Sequence, residues 1–244
     1  GDRRKLLSVR VKCDMKFESK TFKTDGDVKA LLMESGIFGM IRQRPYDTVA
    51  NPNETPKAIH VSAFNSMPLA QDFEYVLTGQ EAEFQAGLTA LSKIAPVNLG
   101  VSSKQSAKAL LGAANCEVYV FDGPAPAGNV GVQIHHIAPI RKGETVWTVS
   151  LLMLAAIGKL FNTGKYDLRR KIAVTGPKVN NPAYVEGYPG IAIKDVAEFY
   201  NAEENLRYVS GDVLTGTNVG KDGFLGFFDN QITILEEGNK YELL

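Results

Sequence analysis

The sequence predicts an α/β chain: a parallel-sheet domain followed by a smaller, β-rich domain. Three observations predict it. Residues 58–121 alternate β-prone runs with helical patterns, which calls for βαβ units and a parallel sheet. From about residue 166 the texture changes to short β-prone runs punctuated by Gly, Pro and Asn. Apolar residues make up 44% of the 244 and charged residues 22%, enough apolar surface to offset chain entropy in one large or two modest domains.

Taken in order, residues 6–11 (LLSVRV) read as a strand. Residues 28–35 form a short helix, with Asp25 or Asp27 as N-cap and Gly36 as the stop. Residues 45–57 carry three prolines, two asparagines and no apolar period, which is turn chemistry. Residues 58–63 (AIHVSA) read as a buried strand. Residues 81–95 read as a helix with Phe84, Leu88 and Leu91 on one face, stopped by Pro96. A strand at 97–101, a helix at 104–113 and a strand at 117–121 follow. The most apolar stretch, 145–158, is shorter than the ~20 residues a membrane span needs and reads as a buried core element. In the second part, strands are expected at 171–175, 207–210 and 231–235, with a helix at 193–200.

Lys plus Arg and Asp plus Glu are 27 each, so the balanced charge gives no support for a nucleic-acid partner or an anionic membrane surface. Two cysteines, Cys13 and Cys116, are too few for a disulfide scaffold or an iron–sulfur cluster. No His or Cys spacing suits a metal site. His60 falls in a strand and reads as a satisfied core or edge imidazole. His135 and His136 read as strand residues on opposite faces, with one of them able to face a pocket.

Phosphate-loop patterns fail. Gly158 to Lys165 has five residues between its glycines and a tyrosine after the lysine, and reads as a helix C-cap. The loop 121–131 (FDGPAPAGNVG) follows a strand, where open α/β sheets bind ligands; a stiff connection is the equal alternative. No nucleophile or general base stands out. The opening at Gly1 without a methionine and the end at Leu244 suggest a piece of a longer protein.

Five stretches in fixed order carry a resemblance: ESGIFGMIRQRPYDTV (34–49), AIHVSAFNSMPLAQD (58–72), VFDGPAPAGNVGVQIHHIAPI (120–140), VTGPKVNNPAYV (174–185) and SGDVLTGT (210–217). The chain resembles the A subunit of the bacterial Na+-translocating NADH:quinone reductase, over nearly its whole length. The resemblance implies three parts. Residues 1–24 would be the end of a missing barrel-sandwich-like domain, and 25–165 a Rossmann-like domain similar to the flavin-binding subunit of complex I and the Rnf C subunit. Residues 166–244 would be a β-grasp (SLBB-like) domain.

In those relatives a helix ends in a loop of the type Gly-Leu-Gly-Gly-Ala-Gly-Phe-Pro, whose glycines let backbone N–H groups reach the flavin phosphate. Here the corresponding run is Gly39-Met40-Ile41-Arg42-Gln43-Arg44-Pro45. Ile41, Arg42 and Arg44 stand where glycines would be, so the expectation is a flavoprotein fold with neither flavin nor cluster. The resemblance further implies a peripheral component on the cytoplasmic face of the inner membrane. It would be held by other subunits, above all the membrane-embedded B subunit, with the sodium path elsewhere. Two roles remain open. One is a contribution to ubiquinone binding through an apolar slot drawn from Phe38, Phe64, Met67, Phe121, His135 and His136. The other is a scaffold with no ligand of its own.

Overall fold

The computed structural model describes residues 6, 9–12, 19–197 and 205–239. Two mixed sheets organise them, each with its own hydrophobic cluster.

The first sheet has the order β2-β1-β6-β3-β4-β5. Its parallel part is β3 (Ile59–Ser62), β4 (Val97–Ser102), β5 (Glu117–Phe121) and β6 (Val146–Thr148). The antiparallel edge, β1 (Arg42–Arg44) and β2 (Thr48–Val49), lies in residues read from sequence as a loop and a turn. Three residues are too short a run to show a period, so only pairing with β6 and β2 defines β1. The chain steps from β3 outward to β4 and β5, then returns to the far side of β3 to make β6. The strand order therefore reverses between β3 and β6.

α1 (Val28–Ser35) matches its expected bounds: Asp27 accepts from the Ala30 amide, and Gly36 closes the helix at φ 81°. α2 (Phe73–Leu77) and α3 (Glu81–Ser92) precede β4, and α4 (Lys108–Leu111) precedes β5. Phe84, Leu88 and Leu91 are all fully buried, as their spacing requires. α3 and α4 are shorter than expected. α5 (Val130–Ile137) overturns the strand reading of His135 and His136: Asn129 caps it at the Gly131 amide, and the two imidazoles are neighbours on its exposed side. The apolar stretch at 145–158 splits into β6 and α6 (Leu151–Thr163), divided by the Ser150 N-cap. Gly164 ends α6 in the left-handed region at φ 67°, the C-cap that the Gly158–Lys165 spacing suggested. None of the described helices is long and apolar enough to cross a membrane.

The two faces of this sheet differ in chemistry. Register puts Trp147 beside Ile59 and Ile59 beside Val97 on one face, where Phe84, Leu88, Leu154 and Ile157 complete the core. The opposite face carries a polar row: Arg42 beside Thr148, Thr148 beside His60, His60 beside Asn98. α5 covers that face. Gly100 permits the approach, because a Cβ there would lie 2.2 Å from Gln133 Oε1.

The second sheet has the order β10-β9-β11-β7-β8. It comprises β7 (Arg170–Thr175), β8 (Ala183–Gly187), β9 (Leu206–Ser210), β10 (Thr217–Asn218) and β11 (Gln231–Glu236), with α7 (Ile193–Ala197) alongside. The expected strands at 171–175, 207–210 and 231–235 are present, each within one residue of its expected start; β8 and β10 went unread, lying among Pro, Asn and Gly. Residues 198–200 of the expected helix, and Leu7 and Ser8 of the expected first strand, fall outside the described residues. Leu6, Val9 and Val11 are exposed and in no strand. Cys13 also falls outside; Cys116 is a half-buried free thiol.

The two sheets are tied by polar bonds. The buried Gln71 amide donates to the carbonyls of Lys171 (3.2 Å) and Asn230 (2.5 Å). The Asp72 amide donates to the Tyr184 hydroxyl at 2.7 Å, and Lys171 Nζ donates to the Tyr75 and Thr78 carbonyls.

Candidate functional site

A cleft of about 400 Å3 opens outside the carboxyl ends of β3 and β6, where the strand order reverses and open α/β sheets place their ligands. The first domain supplies Ser62, Phe64 and Met67 after β3, Gly128 to Val130 at the start of α5, and Thr148 to Leu151 at the start of α6. The second domain supplies Arg170, Asp212, Phe227 and Phe228.

Each wall is fixed by local bonds. Ser62 Oγ donates within reach of two carbonyls, Gly128 at 2.9 Å and Phe64 at 3.0 Å, and accepts from Gln133 Nε2 at 2.9 Å. The Gly128 amide donates to Ser66 Oγ at 2.8 Å, and a Cβ on Gly128 would meet the Ser66 nitrogen at 2.6 Å. The Gly- and Pro-rich loop is thus pressed against the turn after β3 by backbone that only glycine allows. Phe227 and Phe228 meet edge to face at 5.1 Å, and the Arg42 guanidinium lies 4.7 Å from the Phe228 ring centre.

Three arginines border the cleft. Arg42 and Arg44 share Asp47, at 3.0 and 3.3 Å, and the Arg42 hydrogen bond holds the Asp47 carboxyl below its ordinary range. Arg170 is buried, and its Nη2 donates to the carbonyls of Phe227 (2.9 Å) and Asp229 (3.0 Å). Burial pushes Arg170 down to about 10, which leaves it charged at neutral pH. Asp212 is occupied by its own turn, accepting from the Leu214 and Thr215 amides and the Thr215 hydroxyl.

Of the residues singled out from sequence, Phe64 and Met67 line this cleft. Phe38 does not: it is core, packed edge-on against Trp147 at 5.4 Å. Phe121 ends the edge strand β5, away from the cleft, and His135 and His136 face solvent. In the run compared with a flavin loop, Gly39 sits in a 3-10 turn (Ile37–Met40), Ile41 is fully buried, and Arg42 and Arg44 belong to β1. His60 is buried as expected but not satisfied: neither ring nitrogen has a partner among the described residues, and burial lowers its pKa to about 4. Sequence reasoning missed Arg170, Phe227 and Phe228. Phe224-Leu225-Gly226-Phe227-Phe228 gave a signal, three aromatics in a Gly-rich loop where burial by the loop itself is poor.

Residues 23–166 match the family model described as the NqrA second alpha/beta domain. The chain belongs to the NqrA family. A second NqrA model, the C-terminal domain, matches residues 171–221, so the Phe227–Phe228 wall of the cleft lies past its end. Among curated NqrA relatives are the A subunits of two Na(+)-translocating NADH-quinone reductases. That of Vibrio parahaemolyticus is 35% identical over 218 residues, covering 89% of this chain and 49% of its own length. That of Serratia proteamaculans is 38% identical over 221 residues, with 88% and 49% covered. The chain spans about half the length of these NqrA relatives. One chain of an NAD+-reducing NiFe-hydrogenase in the air-oxidized state shares the fold, with a TM-score of 0.61 at 15% identity over 88% of this chain and 48% of its own. At that identity the likeness speaks for the fold alone.

Proposed function

We propose that the chain is a peripheral piece of a Na+-translocating NADH:quinone reductase, and that its interdomain cleft contributes to quinone binding during electron transfer. The observation that carries the quinone reading is the cleft itself. It lies at the strand-order reversal, with Phe64, Met67, Phe227 and Phe228 as apolar walls and Ser62 and Thr148 as polar points among them. Apolar contact would supply most of the affinity, since a hydrogen bond to a neutral carbonyl contributes only about 0.5–1.5 kcal/mol. Electrons would enter and leave through other subunits, the B subunit the first candidate for contact, at the cytoplasmic face of the membrane. The division into 1–24, 25–165 and 166–244, with a Rossmann-like and a β-grasp part, belongs to the same reading. The scaffold reading is favoured by one observation: Arg42, clamped by Asp47 and stacked on Phe228, occupies part of the opening.

Photoaffinity labelling of the purified complex with a quinone analogue separates the two. Labels are expected in peptides holding Phe64–Met67 and Phe227–Phe228, suppressed by excess quinone. Labels elsewhere, or labels that quinone does not suppress, favour the scaffold.

The residues do not fit a flavin phosphate where the relatives' loop would hold one. The segment at Arg42–Arg44 is engaged in a ladder with β2 and β6, and the Ile41 side chain is in the core. No saturable micromolar quenching of flavin mononucleotide fluorescence is expected from the chain. Saturable quenching would refute this.

A further inference from the structure

The cleft has a chemistry that a neutral quinone leaves unused. Two helices of at least eight residues, α5 and α6, begin there, and their first turns line the cavity at Val130 and at Ser150–Leu151. The caps leave donors over. Asn129 takes the Gly131 amide and Ser150 takes the Met153 amide, while the amides of Val130 and Leu151 have no acceptor among the described residues. A helix start directs such amides, with about half a positive charge, at whatever lies beyond it.

Side chains point the same way, independently of the helices. Arg170 lines the cavity at 7% exposure, and its Nε has no partner among the described residues. Arg44 also lines the cavity, with its Nε buried against Asp47 at 3.3 Å. Buried polar atoms are ordinarily satisfied, and Arg170 Nε, with no acceptor among the described residues, leaves unused donor capacity beside this cavity. The lining holds three guanidinium groups, from Arg42, Arg44 and Arg170, against the carboxylates of Asp47 and Asp212, and the latter is spent on its own turn. Positive charge is in excess.

We propose that this cleft binds a phosphate-type oxyanion, held by the first-turn amides of α5 and α6 and by Arg170 and Arg44. The inference does not rest on the quinone reading. The cradle is not the glycine loop of the flavoprotein relatives; its backbone donors come from two helix starts far from Gly39–Pro45 in sequence. Free phosphates and phospholipid headgroups share this chemistry.

Calorimetric titration of the purified chain with inorganic pyrophosphate, at fixed ionic strength, tests it. Saturable binding is expected. Val130→Pro removes one amide donor at the first helical position, where proline is tolerated, and is expected to weaken binding about tenfold. Arg170→Gln is expected to weaken it at least as much. Because Arg170 also holds the Phe227 and Asp229 carbonyls and its variant could misfold, the Val130→Pro result stands as the independent reading. A parallel titration with dihexanoyl phosphatidic acid assigns the source: a lipid headgroup if it binds tighter than pyrophosphate, a free phosphate if it binds more weakly. Failure of both probes to saturate by about 10 mM, or unchanged affinity in Val130→Pro, would overturn the proposal. Quinone labelling would stand or fall separately.

Discussion

Gly158→Ala is expected to destabilise the chain by about 3 kcal/mol or more, although alanine is the better helix former by about 1 kcal/mol. The sign reverses because α3 and α6 touch backbone to backbone. A Cβ at 158 would lie 1.6 Å from the Glu83 carbonyl oxygen and 2.7 Å from the Gly87 nitrogen. From the other side, a Cβ at Gly87 would lie 2.2 Å from the Leu154 carbonyl oxygen. No flexible side chain is available to yield, so a helix must shift. That shift would carry the start of α6, and with it Ser150 and Leu151, away from the cleft. Urea denaturation of the chain measures the loss; Gly39→Ala, with nothing within 4 Å of its new Cβ, serves as a near-neutral control. Wild-type stability in Gly158→Ala would mean that the two helices do not meet backbone to backbone.

A pH-dependent loss of stability is the second large effect, and His60 is its source. Burial without a partner lowers the folded-state pKa to about 4, whereas an unfolded chain titrates near 6.5. Below about pH 6.5 the unfolded state takes up a proton that the folded state refuses. Stability fully present above pH 6.5 is therefore lost as pH falls towards 4, by about 2–4 kcal/mol in all. His60→Leu removes the titrating group and two orphaned nitrogens while keeping the site filled. Scanning calorimetry at pH 7.5 and pH 5 is expected to show the variant at least as stable as wild type at the higher pH, with the gap widening at the lower. Two parallel pH profiles would contradict the assignment to His60.

The parts of the fold legible in sequence are those with a local physical signature. α1 announced itself by an Asp cap and a Gly stop, α3 by apolar residues on one helical face, and β3, β4 and β5 by short β-prone runs between helices. α5 was not legible. Residues 133–137, Gln-Ile-His-His-Ile, alternate poorly for either period, and what makes them helical is the Asn129 cap and the docking of Gln133 over Gly100. β1 and β10 were not legible either, because strands of two or three residues exist through their partners, and β8 is masked by the Pro and Asn residues just before it.

The candidate site divides along the same line. Phe64 and Met67 could be named from a stretch that carries the family resemblance, and both line the cleft. Phe38, Phe121, His135 and His136 were equally plausible by residue type, and only packing separates a core ring or an exposed imidazole from a lining residue. Arg170, Phe227 and Phe228 belong to the second sheet and its loops, and no local pattern ties them to the first-domain loops they face.

What the sequence by itself determined is the alternating α/β plan, the change of texture near residue 166 and the ordered stretches that match the NqrA family. Each is a property of neighbouring residues, set by backbone preferences and short-range burial. Tertiary structure alone decided which strands pair at the sheet edge, that two helix starts and three arginines meet in one cleft, and that His60 is buried without a partner. Those depend on contacts between distant segments, whose geometry follows from how the two sheets pack and cannot be read from spacing along the chain.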